Sequence, residues 1–241
     1  MKWMAGPRLA TPLALMAMVS ACGQDQSAPP VPAASASAAP DLPMAGEEVR
    51  IVALGDSLFA GYGLEPGRSY PARIEAALRA GGINARITNA GVSGDTTAGG
   101  LQRVDFVLDS MARPPQLVMI SLGGNDMLRG LPPEETRANL SAILAKLKAR
   151  KVPVLLMGML APPNLGTDYA AKFNPIYPAL AKQHGARLVP FFLQPVIERP
   201  DLIQGDHIHP NDAGVDLLVS ETVEQVRAAL PLSPAAPPPP R

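Results

Sequence analysis

The sequence predicts an α/β fold: a central parallel sheet of about five strands with helices on both faces. Two observations predict it. Five short apolar runs alternate along the chain with stretches whose apolar residues recur at helical spacing, and repeated strand–helix alternation produces a parallel sheet. Hydrophobic residues make up 47% of the 241 positions, enough for a sizeable core.

The first strand covers residues 49–54, a β-branched run that ends at Gly55. A helix follows over 70–80, stopped by Gly81 and Gly82. Residues 85–89 form the second strand, 96–111 a helix and 117–122 the next buried strand. Pro133 opens a long helix to about residue 151, because a proline fits the first turn. Residues 154–159 form another strand. The helix expected over 168–183 bends at Pro175 and Pro178. A short strand at 187–189 and a helix over 211–230 complete the alternation. No internal repeat is visible.

The ends of the chain differ from this middle. Lys2 and Arg8 accompany an apolar run at 9–19, which is too short to span a bilayer but suits a secretory signal. The run ends in Val19-Ser20-Ala21-Cys22, which resembles a bacterial lipobox. That resemblance implies that residues 1–21 are a cleaved lipoprotein signal peptide and that Cys22 carries the lipid. The rival reading is an ordinary signal peptide with an incidental cysteine, but Cys22 is the only cysteine of the chain. Gly23 stands where an aspartate would mark inner-membrane retention, so the expected place is the bacterial cell envelope, at the outer membrane facing the periplasm. Residues 22–47 are rich in Pro, Ala and Ser and are expected to be a spacer. The folded domain is then residues 48–230, and the Pro-rich tail at 231–241 is expected to be disordered.

Lysine plus arginine equals aspartate plus glutamate, 21 each, and no basic stripe is present, so nucleic acid is not an expected partner. A single cysteine excludes an intramolecular disulfide and a Cys-x-x-Cys pair. Histidine chemistry has only His184, His207 and His209 to draw on.

In open parallel sheets, ligands bind beyond the carboxyl ends of the strands. Four glycine- or proline-punctuated loops are expected there: Gly55-Asp56-Ser57-Leu58, Gly91-Val92-Ser93-Gly94-Asp95, Gly123-Gly124-Asn125-Asp126 and Asp206-His207-Ile208-His209-Pro210. In this order they resemble the sequence blocks of the SGNH/GDSL hydrolases. Gly123-Gly124-Asn125-Asp126-Met127-Leu128-Arg129-Gly130 and Ile176-Tyr177-Pro178 resemble the multifunctional acyl-CoA thioesterase/arylesterase/lysophospholipase branch. A lone Gly-Asp-Ser-Leu is weak, whereas four ordered blocks on one fold pattern are specific. The resemblance covers the whole folded domain and implies a three-layer, flavodoxin-like arrangement. The Gly-x-Ser-x-Gly elbow of the α/β-hydrolases is absent, since Phe59 fills its last position.

What the resemblance implies for the residues agrees with acyl-transfer chemistry. Ser57 is the expected nucleophile. A serine hydroxyl needs a neighbouring base, here His209, and the base needs an orienting acid, here Asp206 of the Asp-x-x-His pair. The expected oxyanion donors are the N–H groups of Ser57 and Gly94 and the side-chain amide of Asn125. Each has a plainer reading as a cap or turn residue. His207 is the local rival to His209, but it directly follows Asp206 and is badly placed to share its carboxylate. His184 reads as a helix-end or surface histidine. A metal cluster at Asp206, His207 and His209 lacks a further histidine or cysteine nearby in sequence, so neither metal nor cofactor is expected.

Met127, Leu128, Leu131 and Pro162, with Pro163 and Leu165, are candidates for an acyl-chain groove; their rival role is core packing. The expected partner is a small-molecule ester, with short- to medium-chain acyl, aryl or lysophospholipid-like groups, or a thioester. Export makes acyl-CoA a poor natural substrate, because CoA pools are cytosolic. The only tryptophan, Trp3, lies in the leader, and scarce aromatics disfavour a glycan O-acetyl esterase. The other alternative is a non-catalytic envelope lipoprotein that uses this fold for binding; the intact Ser57, Asn125, Asp206 and His209 argue against it. A monomer is expected.

Overall fold

The structure, a computed structural model, describes residues 46–231. The expected leader, the Cys22 anchor, the spacer up to residue 45 and the tail from residue 232 lie outside the described residues.

Five strands form one sheet: β1 (Val49–Gly55), β2 (Ala85–Gly91), β3 (Leu117–Ser121), β4 (Val154–Met157) and β5 (Arg187–Val189). Every pairing is parallel and the order is β2-β1-β3-β4-β5. This is the flavodoxin-like order, with the switch point between β1 and β3. Residues 51–55, 117–121 and 154–157 are buried without a break. Side chains alternate between faces along a strand, so unbroken burial means that both faces are covered.

The helices are α1 (Ser57–Ala60), α2 (Tyr70–Ala80), α3 (Thr97–Asp109), α4 (Gly124–Leu128), α5 (Pro133–Ala149), α6 (Thr167–Phe173), α7 (Ile176–His184) and α8 (Asp212–Ala229). α2 packs with α8, while α5 packs with α3 and α7, which provides the two outer layers. Polar residues set the helix starts. Ser69, Thr96 and Asn211 accept from the N–H groups of Ala72, Gly99 and Gly214, at the heads of α2, α3 and α8. Each such cap contributes about 1 kcal/mol. The buried Tyr70 hydroxyl meets Thr222 Oγ1 at 2.7 Å and joins α2 to α8. Among the described residues no helix is long and apolar enough to cross a membrane.

Three expectations need correction. The helix expected over 168–183 is two helices, α6 and α7, rather than one bent helix. Pro175 has no N–H to continue α6, and the Asn174 side chain is drawn away to accept the Ala161 N–H at 2.8 Å. Pro178 is tolerated because it falls in the first turn of α7. The strand at 154–159 stops at Met157. There Gly158 donates to the Val189 carbonyl at 2.8 Å, and a Cβ at this position would lie 2.2 Å from the Pro190 carbonyl oxygen. Finally, α1 and α4 were not expected. Helices of 4 and 5 residues are too short for apolar periodicity to register.

Candidate active site

The turn after β1 enters the site first. Asp56 caps α1, its carboxylate accepting the Leu58 N–H at 3.0 Å. Ser57 is the first residue of that helix, so its own N–H has no intrahelical partner. Gly61 closes α1 in the left-handed region at φ 84°, its N–H returning to the Ser57 carbonyl.

The 204–210 turn supplies the other half. Ile203 and Pro210 form an isolated antiparallel bridge, and the Gln204 N–H donates to the His209 carbonyl at 2.8 Å. Inside this narrow loop Asp206 Oδ1 accepts the N–H groups of Ile208 and His209, each at 3.0 Å. Its Oδ2 lies 2.6 Å from His209 Nδ1, and His209 Nε2 lies 2.7 Å from Ser57 Oγ. An ionised carboxylate can only accept, so Nδ1 carries a proton, and in the neutral ring Nε2 is then the acceptor of the serine hydroxyl. Burial pushes the Asp206 carboxyl up, but hydrogen bonds from the His209 ring and from the two N–H groups outweigh it and hold the pKa at about 2. The Tyr62 ring lies against the imidazole, with centroids 4.6 Å apart. Gln204 clamps this arrangement, its Nε2 donating to the carbonyls of Tyr62 and Pro210 at 2.8 and 2.9 Å.

Ser57, Gly94 and Asn125 line one cleft. Gly94 takes a left-handed conformation, φ 81°, and its carbonyl accepts from Arg129 at 2.6 Å. Among the described residues neither the Ser57 nor the Gly94 N–H donates to a protein acceptor. One amide hydrogen of Asn125 donates to the Asp95 carbonyl at 2.9 Å, which orients the group and leaves its second hydrogen for a ligand. Beneath it the buried Asp126 accepts from the Thr97 N–H at 2.9 Å and from the Thr97 hydroxyl, pinning α4 to α3.

The cleft holds about 390 Å³. Its walls include Met127, Leu128 and Pro162, and also Met159, Phe191 and Ile197. Leu131 does not line it. The turn at Gly130 carries Leu131 to the head of α5, where its carbonyl accepts the Tyr169 hydroxyl at 2.9 Å. Pro163 and Leu165 are also outside the lining; they sit in a 3₁₀ turn, and Leu165 packs on the core.

Of the other histidines, His207 stands at the cleft with a left-handed backbone, φ 61°, and the Asp206 carboxylate bonds to residues 208 and 209 instead. His184 ends α7 and is half-buried against the Ser141 hydroxyl, 3.0 Å away. Sequence reasoning missed Tyr62, Gln204 and Asp126, whose contacts join segments far apart in the chain. Asp56 is 2% exposed. Burial pushes its pKa up to about 7 against the Leu58 hydrogen bond, and the charges of Asp95 and Asp126 add to the rise.

Fold and site together define a class: an acyl-transfer centre at the switch point of a doubly wound parallel sheet. The chain belongs to the GDSL-like lipase/acylhydrolase family, whose match spans residues 53–217. It is 40% identical over 161 residues to an arylesterase of Vibrio mimicus, covering 67% of this chain and 80% of that protein. Thioesterase 1/protease 1/lysophospholipase L1 of Escherichia coli (strain K12) is 39% identical over 161 residues, covering 67% and 75%. The crystal structure of AlinE4, an SGNH-hydrolase family esterase, matches with a TM-score of 0.66 at 62% identity, over 78% of this chain and 99% of that one.

Proposed function

We propose that this chain is a serine esterase that hydrolyses small-molecule carboxylic esters through an acyl-enzyme on Ser57. The observation that carries the reading is the unbroken hydrogen-bonded line from Ser57 Oγ through His209 to Asp206, at 2.7 and 2.6 Å. Ser57 Oγ attacks the acyl carbon while His209 Nε2 takes its proton. The N–H groups of Ser57 and Gly94 and the Asn125 amide stabilise the oxyanion. The tetrahedral intermediate expels the alcohol, which leaves with the proton from His209. Water then attacks the acyl-enzyme with the same base, and the carboxylic acid departs.

The apolar walls support short- to medium-chain acyl, aryl or lysophospholipid-like esters, and thioesters as well. An apolar pocket separates neighbouring chain lengths by only about tenfold to two-hundredfold per methylene, so a broad substrate range is expected. The same reading takes the working protein as a monomer; light scattering across a concentration series tests this. The test of the reaction is turnover of p-nitrophenyl acetate, butyrate and octanoate by residues 46–241 beside Ser57→Ala. Loss of turnover in the variant supports the serine route, and undiminished turnover sinks it.

The same proposal places the enzyme in the cell envelope on a lipid carried by Cys22, the sole cysteine, behind an apolar leader. Cys22→Ser is expected to move the protein from the membrane to the soluble fraction. Unchanged fractionation defeats the anchor while leaving the esterase reading intact.

A further inference from the structure

Arg103, on α3, is absent from the cleft lining yet binds the ends of β1 and β2 and the loop after β2, all of which lead to it. Its Nε donates to Asp95 Oδ2 at 2.7 Å, its Nη1 to the Ala90 carbonyl at 2.6 Å and its Nη2 to the Gly55 carbonyl at 2.8 Å. Gly55 stands two residues before Ser57, Ala90 lies one residue before the end, at Gly91, of the strand that leads to Gly94, and Asp95 directly follows Gly94. The Asp95 carbonyl in turn holds the Asn125 amide at 2.9 Å. One guanidinium therefore links the segments that bear Ser57 and Gly94 directly, and the one that bears Asn125 through Asp95. The pair is largely enclosed, with side-chain exposures of 20% for Arg103 and 11% for Asp95, so solvent screens it little.

A second feature points the same way. Gly99 lies in the first turn of α3, where its N–H meets the Thr96 cap. A Cβ at Gly99 would lie 1.8 Å from Asp95 Oδ1. The helix keeps a poor helix former at the spot where the Asp95 carboxylate must sit beside it.

We propose that Arg103 is a positioning residue for ester hydrolysis: it holds the Ser57 N–H, the Gly94 N–H and the Asn125 amide in one geometry without touching the substrate. This rests on the esterase reading above. A planar fork with donors aimed in three directions is required, and lysine, a single point charge, cannot reproduce it.

The experiment is a double-variant cycle in kcat and KM on p-nitrophenyl butyrate, using Arg103→Lys, Asn125→Ala and their combination. Arg103→Lys is expected to lower kcat by about tenfold to a hundredfold, as misplaced catalytic geometry does, with KM within about twofold. In the Asn125→Ala background the same change is expected to cost less than it does in the wild type, because one of the three donors that Arg103 positions is already gone. Equal losses in both backgrounds, a loss confined to KM or a wild-type kcat in Arg103→Lys each overturn the role. Arg103→Ala is run alongside; if its thermal transition is lost, the lysine variant alone carries the test. Undiminished turnover by Ser57→Ala is a separate outcome: it removes the esterase reading and this role with it.

Discussion

Asp206 and Asp56 both stand near Ser57, one in the 204–210 turn and the other at the end of β1, and their surroundings drive them in opposite directions. Asp206 is about a third exposed, at 33%, and is surrounded by donors: the His209 ring and two backbone N–H groups. Its pKa is held at about 2. Asp56 is 2% exposed, accepts from the Leu58 N–H and has acidic neighbours, and its pKa rises to about 7. Donors keep one carboxylate charged; burial without a cation lets the other keep its proton. A charged carboxylate can only accept, so it holds an imidazole in the Nδ1–H form and stabilises the imidazolium. Nearness to the serine is therefore not what suits an aspartate to the reaction.

Substitution separates the two carboxylates. Ser57→Ala sets the scale, with kcat expected to fall by about a millionfold, measured by ester turnover. Asp206→Asn is expected to lower kcat by about ten-thousandfold, because a neutral amide no longer dictates the tautomer. Asn125→Ala should cost about a hundredfold to a thousandfold, the usual loss for one oxyanion donor. Asp56→Asn keeps an oxygen for the Leu58 N–H, and kcat is expected to stay within about tenfold of wild type. If Asp56→Asn disables the enzyme as deeply as Asp206→Asn, their different surroundings do not set their roles.

The smallest effect lies in stability against pH. The folded-state pKa of Asp56, about 7, exceeds its ordinary value of 3.8, so the folded chain holds a proton that the unfolded chain releases. Its contribution is complete below pH 3.8 and is lost as pH rises through about 7. The melting temperature of Asp56→Asn relative to wild type should therefore improve by a few degrees between pH 5 and pH 8. Asp206 has the reverse sign: its contribution is present above pH 3.8 and is lost as pH falls through about 2. A flat difference for Asp56→Asn across pH 5 to 8 contradicts the raised pKa.

Much of this could be read from the residues in order. Strand–helix alternation is a local signal, and the helix expected at 70–80 and the strand at 187–189 match α2 and β5. Ser57, Gly94, Asn125, Asp206 and His209 were legible because each sits in a short motif, and all five line one cleft or join one hydrogen-bonded line. The break between α6 and α7 was half legible. The prolines warned of a bend, but the full stop also involves Asn174 reaching Ala161, a tertiary contact. Leu131 shows the limit for pocket walls: sequence gives a side chain's chemistry, while a glycine turn decides where it points. Gln204 had no local mark at all, since its partner Tyr62 is 142 positions away.

The bond between Ser57 and His209 spans 152 positions, from the loop after the first strand to the loop after the last. The nucleophile is therefore synthesised early and its base late. A chain still being made has a serine without a proton acceptor and so without useful reactivity. Contacts so distant in sequence form slowly, after the intervening strands have found their places. Hydrolysis is thus expected to begin only once folding is complete, and ester turnover during refolding should lag behind the recovery of helical signal.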